Sequence, residues 1–308
     1  MTTSLEAAIL RTILYADVFQ YPLMVEEIHH YLMAEQPVNL EQVRMCLEQS
    51  AFLRQRLETA EGHYVWRGQI ETIALRKNRD ELSAHLWKTG EAWGRWLARL
   101  PFVRMVALTG ALAMRNAAHA GDDIDYLLVT TAGRVWLARG LAVVLVRIAR
   151  VGGAHICPNF VLAETALAQG RRDVFIAHEV AQMVPLYGAD VYERFREANA
   201  WVKAYLPNAD GSFQRNSVYP MGWAGRLAKR LGELMLGGKL GDWLENWEQQ
   251  RKLKRFAADL QTPRSAAKLD HTQVKGHFQD HGHRVLEEYA TRLRQYQIEN
   301  VPLAKTGD

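Results

Sequence analysis

Phe102-Val103-Arg104-Met105-Val106-Ala107-Leu108-Thr109-Gly110-Ala111, then eleven residues, then Asp123-Ile124-Asp125-Tyr126-Leu127-Leu128-Val129: this stretch decides the fold. The first run, Phe102 to Leu108, is short, apolar and rich in β-formers, and it ends at a Thr-Gly turn. Residues 112–117 suit a short helix. The second run is a strand by composition, buried from Ile124 onward. Side chains alternate along a strand, so Asp123 and Asp125 are expected to point the same way. Two carboxylates so placed repel one another and can share a metal ion.

Downstream, residues 132–151 have the pattern of an amphipathic helix carrying Arg134, Arg139, Arg147 and Arg150, most simply its solvated face. A third strand is expected over His155 to Leu162. It contains no acid; Asn159 is its central polar residue and Glu164 falls just beyond it. Residues 101–168 therefore form an α/β core with a short mixed sheet and flanking helices.

This core resembles the nucleotidyltransferase superfamily that includes DNA polymerase beta. The family pattern is an apolar strand, Gly-Gly or Gly-Ser, 9 to 13 residues, then Asp-apolar-Asp/Glu-apolar. Gly110-Ala111, residues 112–122 and Asp123-Ile124-Asp125-Tyr126 follow it. The resemblance implies a nucleoside triphosphate (ATP among the candidates) as substrate and Mg²⁺ or Mn²⁺ as cofactor. Asp123 and Asp125 would hold the metal, with triphosphate oxygens as further ligands. Thr109, Gly110 and Ala111 would cradle phosphate, because a glycine turn lets backbone N–H groups approach it. Arg115 and Asn116 are the next phosphate contacts by position.

Two departures matter. Ala111 removes a hydroxyl that the family uses, leaving Thr109 the nearest one. The family's third carboxylate, often the general base, is missing from the third strand. With Asn159 in that place, either the acceptor is already anionic, or Glu164 serves as base, or the site is inactive.

Residues 1–75 are expected as three helices (Leu5–Tyr15 capped by Ser4, Met24–Met33, Leu40–Phe52 capped by Asn39) and a hairpin. Its strands would be Leu53–Leu57 and His63–Arg67, turning at Glu61-Gly62. This order resembles a winged helix-turn-helix. The third helix, however, sets Arg44 against Glu41 and Glu48, so DNA binding is less favoured than a structural or partner-binding role. One long helix connects residues 76–100, with Trp93 and Trp96 expected in packing. Residues 169–308 read as an all-α helical domain.

The chain has 308 residues, 38 basic against 34 acidic side chains, and a formal charge of +4. That balance suits a phosphate-bearing small molecule and does not mark a dedicated nucleic-acid protein. Cys46 and Cys157 offer neither a disulfide framework nor a zinc spacing. No export signal and no membrane-length apolar run are visible, so a cytoplasmic location and no membrane partner are expected. His178-Glu179-Val180-Ala181-Gln182 lacks the second histidine of a zinc-protease motif, although residues 177–188 could line the substrate side. His277, Asp280, His281 and His283 suit a helix start better than a metal site. Lys252, Lys254, Arg255, Arg264 and Lys268 make the late region basic. The acceptor is not identifiable. The rival to an enzyme is a non-catalytic nucleotide-sensing regulator or scaffold that binds DNA or a protein through the winged helix.

Overall fold

Capping sets the first elements. Thr3, one residue before the expected cap, accepts from the Glu6 amide, and the Glu6 carboxylate accepts from the Thr3 amide. Helix α1 (Ser4–Asp17) follows, then β1 (Leu23–Met24), α2 (Val25–His30) and α3 (Leu40–Gln49). The third helix does not reach Phe52. The Ser50 hydroxyl accepts from the Leu53 amide and starts a separate helix, α4 (Ala51–Arg56). Residues expected as the first hairpin strand are thus helical, and β2 (Leu57–Ala60) begins only at Leu57. It pairs with β3 (His63–Trp66) across Glu61-Gly62, both with left-handed φ, and β1 completes a three-stranded sheet. This computed structural model describes residues 3–214, 218–256, 268–275 and 281–299.

Helix α5 (Thr72–Arg99) leaves this unit through a buried ion pair. Arg76 donates to both oxygens of Glu27, at 2.6 and 2.9 Å, and lies over the Tyr21 ring, whose hydroxyl also donates to Glu27. Glu27 is fully buried, so its charge depends on these donors. Trp93 packs on the core as expected, whereas Trp96 is exposed.

The second sheet contains β4 (Val103–Leu108), β5 (Ile124–Thr130), β6 (Ile156–Ala163), β7 (Val184–Tyr187), β8 (Lys268–Leu269) and β9 (Gln273–Lys275). Their order is β7-β4-β5-β6-β9-β8, with β5 and β6 parallel and the other pairs antiparallel. The fold is mixed α/β. Helices α6 (Gly110–Ala113) and α7 (Val135–Val151) connect β4 to β5 and β5 to β6. The expectation of an all-α region after residue 169 is corrected: β7, β8 and β9 come from it and extend the core sheet on both sides. Among these helices are α8 (Val174–Gln182), α9 (Ala189–Ala198), α10 (Trp223–Leu236), α11 (Lys239–Arg255) and α12 (His281–Gln295).

The sheet divides two apolar cores. Val106, Leu108, Ile124, Tyr126 and Leu128 pack under α5 and α7. Gly94 of α5 permits that approach, since a Cβ there would stand 2.3 Å from Leu186. Met105, Ala107, Leu127 and Val129 face the other way and share one core with α1, α8 and α12. The N-terminal unit thus lies on the same face of the sheet as Leu127, and Asp125 has the same parity. Among the described residues, no helix is long and apolar enough to cross a membrane.

Replacing Glu27 with Gln should leave Arg76 buried without its counter-charge. A loss of about 3–5 kcal/mol is expected from breaking one side of a buried pair. Urea unfolding of the variant against the parent measures it, and an unchanged midpoint would rule out this pair as the joint between the N-terminal unit and α5.

Candidate functional site

The turn after β4 is tight because the Thr109 amide donates to the Asp125 carbonyl at 3.0 Å. Gly110 follows with φ +66°, and a Cβ built on it would lie 2.7 Å from Oδ2 of Asp125. Both the left-handed backbone and the close carboxylate demand glycine there. Sequence spacing anticipated this pairing of turn and acid.

Asn159 reaches the same carboxylate through a bulge. Asp125 pairs with Cys157, but Leu127 pairs with Phe160, so β6 carries one extra residue between them. Asn159 and Phe160 consequently both line one cavity, which strict alternation would forbid. The Asn159 side-chain amide donates to Oδ1 of Asp125 at 2.7 Å. Cys157, level with Asp125 and half-buried, has its thiol pushed up to about 12 by burial and by the Asp125 and Asp123 charges. It and Cys46 are free thiols, as expected.

The cavity has a volume of about 570 Å³ between the sheet and the N-terminal unit. Aromatic rings contribute to its wall: Tyr15, Phe19 and Tyr31 from the N-terminal unit, and Phe160, Phe175 and Phe195 from the rest of the chain. Three charged side chains in it were not singled out as site residues. Glu179 of α8 and Lys275 of β9 both line it, as does Arg171, which pairs with Asp173. Burial raises the proton affinity of Glu179, and the Lys275 charge opposes that rise. Asp125 titrates at about 7, raised by burial first, then by Glu179 and by Asp123. The available signal for Glu179 was an acid amid Val174-Phe175-Ile176-Ala177 and Val180-Ala181, an apolar helix that had to be buried. Of the segment Ala177 to Gly188, expected to line the substrate side, His178, Glu179, Val180, Gln182 and Met183 line this cavity.

His178 is structural in its contacts. It stacks on Tyr15 at 3.9 Å, and its Nδ1 meets the Val174 carbonyl at 2.8 Å. A carbonyl only accepts, so Nδ1 carries the proton and Nε2 is an acceptor. Burial holds its pKa down, to about 4.

The other sequence candidates divide. Thr109, Gly110, Ala111 and Asn116 line the cavity. Asn116 is also a brace: it accepts from Arg79 at 3.1 Å and donates to the Phe19 carbonyl at 3.3 Å. Arg115 turns instead to α5, where it meets Asp80 at 3.5 Å and lies over Trp87. Asp123 precedes the strand and is 66% exposed, with His155 Nδ1 at 4.0 Å. It does not line the cavity, although its charge is felt at Asp125. Glu164 is not brought to the site. Its amide bonds the Thr130 carbonyl, at the opposite end of β5 from Asp125, and its carboxylate faces Arg194 at 4.0 Å. His281 lines the cavity at the start of α12, while His277 and Asp280 lie outside the described residues, as does Arg264. Among the described residues, no three His, Cys, Asp or Glu side chains converge to hold a metal ion.

No protein-family model, curated protein or solved structure matches this chain.

Replacing Gly110 with Ala should destabilise the protein by roughly 1–3 kcal/mol through the forced backbone conformation. The added methyl also displaces the Asp125 carboxylate, so a larger loss in Gly110→Ala than in Gly110→Ala/Asp125→Ala is expected by chemical denaturation. Equal losses would mean that the carboxylate does not confine this turn.

A second expectation concerns pH. The folded chain keeps a proton on Asp125 up to about 7, whereas the unfolded carboxyl releases it near its ordinary value of 3.8. The folded state therefore binds more protons between those values, and stability falls as pH rises through them. Asp125→Asn removes this penalty. Its thermal midpoint should exceed the parent's at pH 8, by an amount equivalent to about 2–4 kcal/mol, and the gain should fade toward pH 4. A difference independent of pH would contradict the placement of Asp125.

Proposed function

We propose that this chain is a metal-dependent nucleotidyltransferase, moving a nucleoside monophosphate from a nucleoside triphosphate to an acceptor and releasing pyrophosphate. The observation that carries the reading is a Gly110 turn pressed on a half-buried Asp125 carboxylate in the wall of a cavity that also contains Glu179. The order β4-β5-β6, with a glycine turn between the first two strands and an acid at the start of the second, suits a nucleotidyltransferase core. The elements α1 to β3 suit a winged helix.

For Mg²⁺ or Mn²⁺ the cavity itself offers the Asp125 carboxylate, and Asp123 stands outside its lining. Asp123 and Asp125 would hold the ion, and the raised proton affinity of Asp125 is what a nearby cation would relieve. Bound there, the ion would neutralise triphosphate charge and make the α-phosphorus more electrophilic. The remaining work belongs to the chain. Asn159, donating to Oδ1, fixes the rotamer of Asp125. Thr109 and the backbone at Gly110-Ala111 face the cavity as phosphate donors. A carboxylate whose affinity for protons is raised accepts one more readily than an ordinary carboxylate. Glu179 thus replaces Glu164 as the base, accepting the proton of an acceptor hydroxyl as its oxygen bonds phosphorus and pyrophosphate leaves. The Lys275 charge opposes the rise in proton affinity that burial gives Glu179. An already anionic acceptor would instead sit against Lys275 and Arg171 and need no base.

A structural role for the winged-helix-like unit is favoured over DNA binding. Its α1 supplies Tyr15, and the turn after it Phe19, to the cavity rather than standing apart. Arg67 donates to the Gln55 and Arg54 carbonyls, Arg56 stacks on Phe52, and Arg44 faces Glu26 and Glu41. Those cations are committed within the unit. The second reading, a nucleotide-sensing regulator without turnover, is favoured by the lack of a three-ligand group among the described residues.

Pyrophosphate release should be measured with Mg²⁺, each of the four triphosphates, and hydroxyl or phosphate acceptors. Asp125→Asn should abolish it, and Glu179→Gln should lower turnover about 10²–10⁴-fold with a hydroxyl acceptor while leaving triphosphate binding intact. Turnover unaffected by Glu179→Gln assigns an anionic acceptor. Triphosphate binding without any release would favour the sensor, and no binding would sink both readings.

A further inference from the structure

Helices α10 and α11, joined by Gly237-Gly238, are built inside out. On α10 the inward residue Lys229 is buried, and its ammonium donates to the carbonyls of Ala98, Leu100 and Val103. Glu233, also inward, accepts from the Phe102 amide at 2.9 Å and from Arg104 at 2.6 Å. On α11 the buried side chains are Glu245, Glu248 and Lys252. Glu245 accepts from the Trp136 and Leu137 amides, satisfying the first turn of α7. The apolar residues face out. Trp223, Leu227, Leu231 and Leu234 recur at helical spacing on one side of α10, Trp223 being 75% and Leu234 80% exposed. Leu240, Trp243 and Trp247 do the same on α11, the two indoles stacked at 6.3 Å between centroids. A globular helix normally has the reverse arrangement.

The charges beside this face decide what covers it. Arg226, Arg230, Lys239, Lys254 and Arg255 are exposed along the hairpin, and Arg251 is paired with Glu248 at 2.6 Å. Of its acids, Glu233, Glu245 and Glu248 are turned inward, and Asp242 is paired with Arg134 at 2.6 Å. A face so uniformly cationic is poorly matched to a second copy of itself. It does match an anionic bilayer, where tryptophan sits at headgroup level, leucine enters the acyl boundary and arginine meets phosphate.

We propose that the α10–α11 hairpin seats this chain on an anionic membrane surface, lying in the interface rather than spanning it. The absence of a crossing helix among the described residues stands unaltered, since this face needs none. The preformed backbone presents the apolar stripe without any folding transition, so association is governed by composition of the bilayer and by salt.

The test uses the full chain and flotation with vesicles of phosphatidylcholine, alone or with roughly one part in three phosphatidylglycerol. Binding to the anionic vesicles with a blue shift of tryptophan emission is expected, at least about tenfold tighter than to neutral ones and weakened by salt. Arg226→Gln and Arg230→Gln should each weaken it about fivefold. Leu231→Gln with Leu234→Gln should abolish it while the circular dichroism spectrum is kept, as both positions are exposed. No flotation, equal flotation with neutral vesicles, or a dimer by light scattering that Leu231→Gln dissociates would each overturn the proposal. Polyglutamate binding through Arg226 and Arg230 in the absence of vesicle binding would also overturn it, pointing to an acidic protein instead.

Discussion

A half-buried carboxylate pressed against a backbone turn is the constraint around which this molecule is arranged. Asp125 has Gly110 on one oxygen and the Asn159 amide on the other. Neither neighbour carries positive charge, so burial pushes the group toward its neutral form, and Glu179 and Asp123 add to that push. Every element near it follows from keeping that geometry. Thr109 closes the β4–β5 turn, the β6 bulge delivers Asn159, and α8 delivers a second acid to the same enclosed space. An arrangement of this kind is unfavourable by itself and becomes favourable when a cation or a proton is supplied.

What encloses the space is the N-terminal unit. Its α1 is buried along most of its length and contributes to the same core as the inner face of the sheet. Helix α12 closes the other side, with Tyr289 edge-on to Tyr15 and Arg292 held by Asp17 at 2.8 Å. The pair Arg76–Glu27 then ties α5, which leads directly into β4, to α2 and Tyr21. The unit whose outline suggests a DNA reader is therefore a wall of the proposed catalytic cavity. Its removal would expose Asp125 to water and abolish the environment that shifts its titration.

The legible parts of the site were those written locally. Gly110 and Asp125 declare themselves by spacing along two apolar strands, and Asn159 by being the sole polar side chain in the middle of the third. Asp123 was expected to point the same way as Asp125, but alternation holds only within a strand, β5 begins at Ile124, and Asp123 does not line the cavity. Glu164 looked available because it follows β6 in sequence, but β5 and β6 are parallel, so their ends lie far from the start where Asp125 sits. Glu179 and Lys275 reach the cavity only through topology. A four-residue strand containing Pro185 and a three-residue strand at Gln273–Lys275 carry little periodicity, so their capture by the core sheet had no local signal.

The inverted hairpin follows from the same sheet. The carbonyls of Ala98, Leu100 and Val103, where α5 ends and β4 begins, need further donors, and the first turn of α7 leaves amides without intrahelical partners. Charged side chains on α10 and α11 satisfy these groups, which fixes the polar face of each helix inward. A helix has one circumference, so the apolar residues are confined to the outside. Burial of Lys229 lowers its pKa to about 8, which shows how far this anchor has withdrawn from solvent. The outward leucines and tryptophans are thus held by the backbone needs of the core itself. They form a rigid face in a fixed relation to the sheet that carries Asp125, and whatever surface they meet sets the orientation of the cavity with it.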